Sequence, residues 1–496
     1  MMHETATSIA KNTTVMMASQ GVTWISSFVL MLFLPRYLGS EEYGRLYLAI
    51  SLTMMFQIVI DFGGSYFIAK EVSRDRSKAA YLMANSIALR GILWIFSLAS
   101  LGLISFVAGY SPLVVALIFI LGFAKLWEGT GRVLVSCFQG FELMQYPSLG
   151  AIAERTFIMM TGVGALLLGA DALLIAILMA ISTLLSFVMN LRFSRRIIPR
   201  VPGIRWGALR DLLREGLPYF LWSVFAVMYY RVDVVMLSLM APESVVGWYG
   251  ASYRFFDVLM FLPSILSWAV FPVLSRLNRQ PGTDPASVTR KSLDLVLLAG
   301  IPLSIVVCAF ADEIIDLFFG LGQYGPSVIL LRIFSFGLLL VYVDFILGTT
   351  LFASDRQKQW TMVALAALAL NPVLNYFLIP VTQASLGNGG IGAAIATLIT
   401  ELFVMAMALA ILPQRILSGS RVSVQLKGLV AGGLMALALW LLHGTETNWI
   451  LLALFGGLVY ATALFTFRAL SDAEMGFLGG FFSYSNLKQT FVLHRG

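Results

Sequence analysis

The stretch YFLWSVFAVMYYRVDVVMLSLM (residues 219–240) decides what kind of fold this chain adopts. It is long and apolar enough to cross a bilayer, yet it holds Arg231 and Asp233 in mid-run. On a helix, positions i and i+2 point to nearly opposite sides, so the two charges cannot neutralise each other. Each needs water or a partner brought by another helix. The stretch therefore reads as one helix of a bundle with a partly polar interior.

The rest of the chain repeats the pattern. Of 496 residues, 59% are hydrophobic and 12% charged, with a mean hydropathy of +0.87. Soluble domains carry about 25% charged residues, so the expected class is all-α and polytopic in the membrane. Apolar runs of spanning length lie at 13–34, 43–68, 80–108, 112–138, 147–168, 171–191, 215–240, 244–274, 292–311, 326–352, 359–379, 391–413, 424–442 and 448–467, about fourteen in all. The polar start MMHETATSIAKN and the length of the first run argue against a cleaved signal. Cys137 and Cys308 sit inside apolar runs and read as small core residues, not as a disulfide or metal framework.

A net charge of +7 could suggest nucleic acid, but its placement is topological. With the N-terminus in the cytoplasm, the cytoplasmic segments hold 24 Lys/Arg, and the opposite side holds only Arg36 and Arg45. The positive-inside rule then places both termini in the cytoplasm and predicts no nucleic-acid partner.

The basic connection RFSRRIIPRVPGIRWGALRDLLR (192–214), broken by Pro199, Pro202 and Gly203, divides the chain. The expected organisation is an N-terminal lobe over 1–198, a basic linker over 199–214 and a second lobe over 215–415. Two further spans follow within 416–470, then a cytoplasmic interfacial tail over 471–496. There is an internal echo: LGSEEYGRLY (38–47) follows the first span and MAPESVVGWY (240–249) follows the seventh. Six spans per lobe is an even number, so the repeats relate by an axis along the membrane normal.

Seven cations remain inside spans: Arg90, Lys125, Arg132, Arg155, Arg231, Arg254 and Arg332. Asp61, Glu128, Glu154, Asp233, Asp257, Asp294, Asp344 and Glu401 accompany them. Each costs about 3 kcal/mol at the bilayer centre, so seven exposed cations would cost on the order of 20 kcal/mol. They must face a hydrated cavity or one another. Lys125, Glu128, Arg132, Ser136 and Gln139 form one polar helix face, which lines a cavity or is a self-neutralised structural triplet. Thr53, Gln57, Asp61 and Ser65 recur every four residues; Thr397 and Glu401 are i, i+4. Arg254 and Asp257 serve either a site or a salt bridge, and Arg332 and Asp294 lie near enough to the membrane faces to snorkel. Asn371 and Asn375 flank Pro372, whose freed carbonyl an Asn can satisfy. Trp222, Phe225, Tyr229 and Tyr230 read first as core and second as sugar platforms. No HExxH, Walker-type GxxxxGK[ST] or CxxC occurs, the histidines lie outside the spans, and the longest outer loop is too short for a catalytic domain. The chain reads as a gradient-driven transporter and not as an enzyme, with no cofactor or metal.

LPRYLGSEEYGRLYLAISL (34–52), RVDVVMLSLMAPESVVGWYGASYRFFDVLMFLPSILSWAVFPVLSRL (231–277) and NPVLNYFLIP with GIGAAIATLITE (371–380, 390–401) resemble the oligosaccharide and polysaccharide flippases of the multidrug/oligosaccharidyl-lipid/polysaccharide (MOP) exporter superfamily. Order and spacing agree over about 1–415. The resemblance implies fourteen helices, two six-helix lobes around a central cavity, and alternating access. It also implies a polyprenyl-(pyro)phosphate-linked oligosaccharide, such as an O-antigen, capsule or exopolysaccharide repeat unit, flipped to the outer leaflet of the plasma (inner) membrane. On that reading Arg231, Lys125, Arg132, Arg90, Arg155 and Arg254 are candidates for the cargo's phosphate. Glu401, Asp61 and Asp233 are candidates for a coupling proton or sodium ion. Membrane lipids and polysaccharide polymerase or assembly proteins are the expected partners. A cation-coupled multidrug exporter and a lipid-linked peptidoglycan-precursor flippase are the neighbouring alternatives; a membrane glycosyltransferase or polymerase is a more distant one.

Overall fold

The computed structural model describes residues 2–198, 203–278, 280, 284–412, 422–442, 444–445 and 447–469. The side chains of 2–15, Met16 and Met17 excepted, and those of positions 18, 218, 222, 225, 226, 422 and 423 lie outside that description, as does the expected tail from 470 on. Apart from a 3-10 turn at Arg76–Lys78, the regular elements are α-helices: α1 Met2–Asp61, α2 Gly64–Arg74, α3 Ala79–Val107, α4 Pro112–Gly140, α5 Gln145–Leu167 and α6 Ala172–Ile197. Then come α7 Trp206–Met240, α8 Glu243–Leu259, α9 Phe261–Leu277, α10 Pro285–Ala309, α11 Ala311–Phe318 and α12 Leu321–Tyr324. The chain continues with α13 Ser327–Ala353, α14 Gln357–Leu386, α15 Gly389–Ile411, α16 Val422–Leu442 and α17 Trp449–Thr466.

Twelve stretches among the described residues are long and apolar enough to cross a bilayer. The first, Ser19–Arg74, has 56 residues. That is about 84 Å of helix at 1.5 Å per residue, against about 30 Å of hydrocarbon. It makes two crossings, folded where Gly39 leaves helical geometry at φ 76°. With α7, the helix of the opening stretch, the fourteen expected spans are accounted for.

By internal contacts the chain forms two compact units, Met1–Arg254 with Ile315–Leu330 and Ala364–Thr397, and Phe255–Ile314 with Leu331–Val363 and Leu398–Gly496. In the first unit α4 packs on α6, α3 and α2, and α1 packs on α5, α4 and α7. Ile68, Val72, Leu82, Val133, Leu134, Phe138, Leu209 and Leu212 form one core cluster. That cluster explains why α7 starts at Trp206, well before the expected span at 215. In GALRDLLRE, Ala208, Leu209 and Leu212 are buried while Arg210, Asp211 and Arg214 are exposed, so the second half of the linker folds as an amphipathic turn of helix.

Two close helix approaches organise the first unit. At the end that carries loop 108–111, α1 crosses α8. A Cβ on Gly44 would strike the Glu243 carbonyl oxygen, and one on Gly247 would strike that of Ser40. The two echoed segments are thus each other's contact surfaces. Arg45 clasps the crossing, bonding Glu243 across it and Glu41 on its own helix. Tyr110 meets the Ser238 hydroxyl at 2.9 Å beside it, and burial pushes the Tyr110 phenol above its ordinary pKa. Segment 315–330 adds further ties: Gln323 takes the Ser40 N–H at 3.2 Å and the Trp248 indole N–H at 2.8 Å. Toward the opposite, basic end, the break between α1 and α2 meets α7. Gly63, at φ 69°, would strike Gly216 with any side chain, and Gly216 would strike Phe62. Phe62 stacks on Phe220 at 4.3 Å and Tyr66 on Tyr219 at 6.0 Å.

In the second unit α10 packs on α16 and α16 on α17. The run expected as one span at 244–274 is broken at Met260 into α8 and α9. Pro263 removes the donor for the Leu259 carbonyl, and the buried Tyr342 hydroxyl replaces it at 2.7 Å. The same device recurs at Pro302, whose freed Leu298 carbonyl takes the Tyr460 hydroxyl at 2.9 Å. Tyr342→Phe should therefore leave a buried carbonyl unpaired and lower stability by about 1–3 kcal/mol, read as a fall in Tm of the purified protein. In the first unit, Asn375 donates its amide to the Asn371 side-chain oxygen at 2.8 Å.

Candidate functional site

All the candidate residues except Glu401 fall in the first unit, in two groups. The first group converges from α1 to α6. Asp61 ends α1, Arg90 lies on α3, Lys125, Glu128 and Arg132 on α4, and Glu154 and Arg155 on α5. Arg90 is 2% exposed. Its guanidinium donates to the Asp61 carboxylate, to the Gly129 carbonyl and, at 3.0 Å, to the Ser65 hydroxyl. Ser65 in turn donates to Asp61 at 2.6 Å. Arg90 and Asp61 are thus an enclosed ion pair that ties the α1–α2 break to α3 and α4. The i, i+4 polar face of the second span persists through that break only because Ser65 turns back to Asp61.

On α4, Glu128 accepts from Lys125 at 2.7 Å and from Arg132 at 2.6 Å. Two cations on one carboxylate leave a positive charge over. The Arg132 side chain stays half exposed, and it is also within electrostatic reach of Asp61 and Glu154. Glu154 lies on α5 beside Arg155, which is exposed. Four cations against Asp61, Glu128 and Glu154 leave this group net positive. Its accessible part is Arg132 and Arg155.

The second group answers the question posed by Arg231 and Asp233. Arg231 donates to the Tyr47 hydroxyl at 3.0 Å, with its guanidinium 5.9 Å from the Tyr253 ring. Asp233, 3% exposed, accepts from the Tyr249 hydroxyl and from the Val234 N–H at 2.8 Å. Among the described contacts, Asp233 is thus met by a phenol and a backbone N–H. Tyr47 and Tyr249 close the two echoed segments, so the repeats supply one partner each. Arg254 lies 5.5 Å from the Tyr47 ring as well. Tyr43 stacks on Tyr47 at 5.9 Å and Tyr249 on Tyr253 at 5.6 Å. Two guanidinium groups are held against aromatic rings by cation–π contacts.

Tyr47, Tyr249 and Tyr253 are functional candidates that charge counting passes over, because tyrosines in apolar runs look like core. The echo, with Tyr in last position in both copies, is the signal that singles out two of them. Tyr229 and Tyr230 pack edge to face at 5.1 Å; the side chains of Trp222 and Phe225 lie outside the described residues. Arg332 bonds Asp312 and Asp294 accepts from Gln425 at 3.4 Å, both within the second unit. There too, Glu401 of α15 is 4% exposed and Asp344 of α13 is 7% exposed.

Comparison with known proteins gives two family matches. The polysaccharide biosynthesis protein family matches residues 9–278, and the lipid II flippase MurJ family matches residues 145–460. The chain is 25% identical over 435 residues to a protein of Haloferax volcanii named "Probable flippase AglR", covering 83% of this chain and 85% of that one. It is 24% identical over 420 residues to a protein of Escherichia coli strain K12 named "Putative O-antigen transporter", covering 81% of this chain and 96% of that one. Lipid II flippase MurJ in an inward closed conformation shares the fold, with a TM-score of 0.75 at 16% identity over 92% of this chain and 98% of that one.

Proposed function

Because the chain belongs to the polysaccharide biosynthesis protein family and is a flippase of the MOP superfamily, we propose that its cargo is a polyprenyl-(pyro)phosphate-linked oligosaccharide. The repeat unit moves from the cytoplasmic to the outer leaflet by alternating access. The observation that carries this reading is the pair Arg231 and Arg254, both placed against the Tyr47 ring. Guanidinium groups bind phosphate oxygens bidentately. Arg132 and Arg155 supply further, exposed positive charge. The polyprenyl tail stays in the bilayer. A multidrug cation would find these arginines repulsive.

The MurJ-family match over 145–460 favours one second reading, a lipid-linked peptidoglycan precursor, whose pyrophosphate would use the same arginines. The sugar distinguishes the two. Cells lacking their own oligosaccharide flippase and supplied with this chain should regain surface polysaccharide, whereas rescue of peptidoglycan-precursor export alone would favour the second reading. In the rescued cells Arg231→Ala should cut surface polysaccharide roughly ten- to hundred-fold, the equivalent of one charge-assisted hydrogen-bond pair. Arg231→Lys should recover part of it, because charge survives while the planar fork does not. Unchanged protein abundance in the membrane is required for that result to count.

The positive-inside count supports an orientation with both termini in the cytoplasm and the chain in the plasma (inner) membrane. Reporter fusions at Gln323 and Asn388 should then read outside, and fusions at Ser77 and Gly203 inside. Cytoplasmic activity at Asn388 would refute the orientation. In that orientation the Gly44–Gly247 crossing closes the outer end and the Gly63–Gly216 approach the inner end, as the two gates of the cycle.

A further inference from the structure

In the first unit, α3, α4 and the segment leading into α7 frame a groove of about 590 Å³. Ala88, Gly91, Ile92 and Ile95 line it on α3, and Ile204 and Trp206 line it on the α7 side. Ile92, Ile95, Ile204 and Trp206 are all exposed, and none of the described residues in the lining is charged. From Ala88 to Ile95 the groove follows about 10 Å of helix, within the roughly 15 Å of hydrocarbon in one leaflet. These α3 residues lie inside a span, so their apolar surface meets lipid chains and not water.

Tyr81, Asn85, Ala88, Ile92 and Ile95 share one face of α3, and that face turns polar toward the start of the helix. Asn85, 0% exposed, accepts the Arg205 backbone N–H at 2.8 Å and donates to the Tyr81 carbonyl at 2.8 Å. Arg205 is thereby fixed beside α3. Its guanidinium stands 5.9 Å from the centre of the Tyr81 ring and remains exposed. Among the described residues it forms no ion pair. Segments 70–78 and 203–215 hold seven Lys/Arg against four Asp/Glu. Of those acids, Glu71 is bridged to Arg74 and Lys78, and Asp75 caps Ser77.

We propose that this groove binds one anionic phospholipid, with an acyl chain along Ala88–Ile95 and the phosphate at Arg205. The planar guanidinium suits two phosphate oxygens, and Trp206 provides an interfacial indole at headgroup level. The local excess of positive charge selects a net-negative headgroup over a zwitterionic one. The cargo's own lipid fits less well, an argument that rests on the proposed function. Arg231 lies about 39 Å along α7 from Arg205 at 1.5 Å per residue, so one phosphate cannot occupy both. The cytoplasmic leaflet follows from the proposed orientation, whereas the site itself depends on neither reading.

The test is native mass spectrometry of the full-length purified chain with phosphatidylglycerol, phosphatidylcholine and a polyprenyl phosphate as probes. The wild type should retain one phosphatidylglycerol with a preference of about fivefold over phosphatidylcholine, as one arginine near a headgroup supplies. A Cβ on Gly91 meets nothing within 4 Å. Gly91→Ala should therefore keep the lipid, and Gly91→Trp should fill the groove and remove it. Arg205→Ala, at an exposed position, should keep the fold and lose the preference, with part of it regained in Arg205→Lys. Equal retention of the two phospholipids by the wild type would overturn the site. So would an undiminished phosphatidylglycerol adduct in Gly91→Trp, or an unchanged preference in Arg205→Ala. Displacement of phosphatidylglycerol by an equimolar polyprenyl phosphate would give the groove to the cargo's tail, and the proposal falls. None of these readouts requires transport, so failure of the site leaves the flippase reading standing.

Discussion

Gly247→Leu should reduce flipping by at least about 100-fold while the protein remains inserted. The Cβ alone would strike the Ser40 backbone carbonyl, and a backbone atom cannot swing aside as a flexible side chain can. The helices α1 and α8 must therefore separate, breaking the Arg45–Glu243 bridge. Leu48, 3% exposed beneath the crossing, reports the separation. In a background without Cys137 and Cys308, a cysteine at position 48 should react with a membrane-impermeant maleimide in Gly247→Leu and resist it otherwise. Gly433→Ala is the control, since a Cβ there meets nothing within 4 Å. Equal labelling with and without Gly247→Leu would show that the crossing is not a gate.

The second large effect concerns stability. Arg90→Ala and Asp61→Ala should each remove about 3–5 kcal/mol by leaving one buried charge without its partner. Folded protein, measured as the monodisperse peak of a fluorescent fusion on size exclusion, should fall sharply in both. Replacing the pair together, as Arg90→Met with Asp61→Leu, should recover much of the loss, because the uncompensated charge is gone. Arg231→Ala should do the opposite: full abundance, little flipping. A set of variants in which Arg90→Ala is abundant and inactive would move Arg90 back to the cargo site. The contrast comes from placement. Arg90 donates to Asp61, Ser65 and Gly129, whereas Arg231 donates to a neutral phenol.

The span pattern was legible because a bilayer leaves few solutions: apolar runs of one length, with Lys/Arg on one side. The helix breaks were less so. Pro263 stood in the sequence, but whether it breaks or merely bends the eighth span depends on Tyr342, about eighty positions away, reaching the freed carbonyl. The early start of α7 depended likewise on Leu209 and Leu212 finding a core built by α2, α3 and α4. Spacing identified the charged positions of the site. It could not separate the enclosed Arg90 from the tyrosine-held Arg231, because both are single arginines in apolar runs and differ only in what other helices bring to them. The echo was present as text in 38–47 and 240–249, and its physical content, two glycines crossing and two tyrosines receiving Arg231 and Asp233, needed the fold.

The central claim is that arginines held on tyrosine faces carry a lipid-linked oligosaccharide across the membrane by its phosphate. The direct measurement is flipping of a fluorescent polyprenyl-pyrophosphate-linked oligosaccharide by the purified chain in proteoliposomes, alongside the same oligosaccharide on a neutral lipid. The account predicts transport of the pyrophosphate-linked cargo alone, lost in Arg231→Ala/Arg254→Ala and partly restored by lysine at both positions. Equal transport of the neutral-lipid cargo, or a double alanine variant that flips at the wild-type rate, would contradict it.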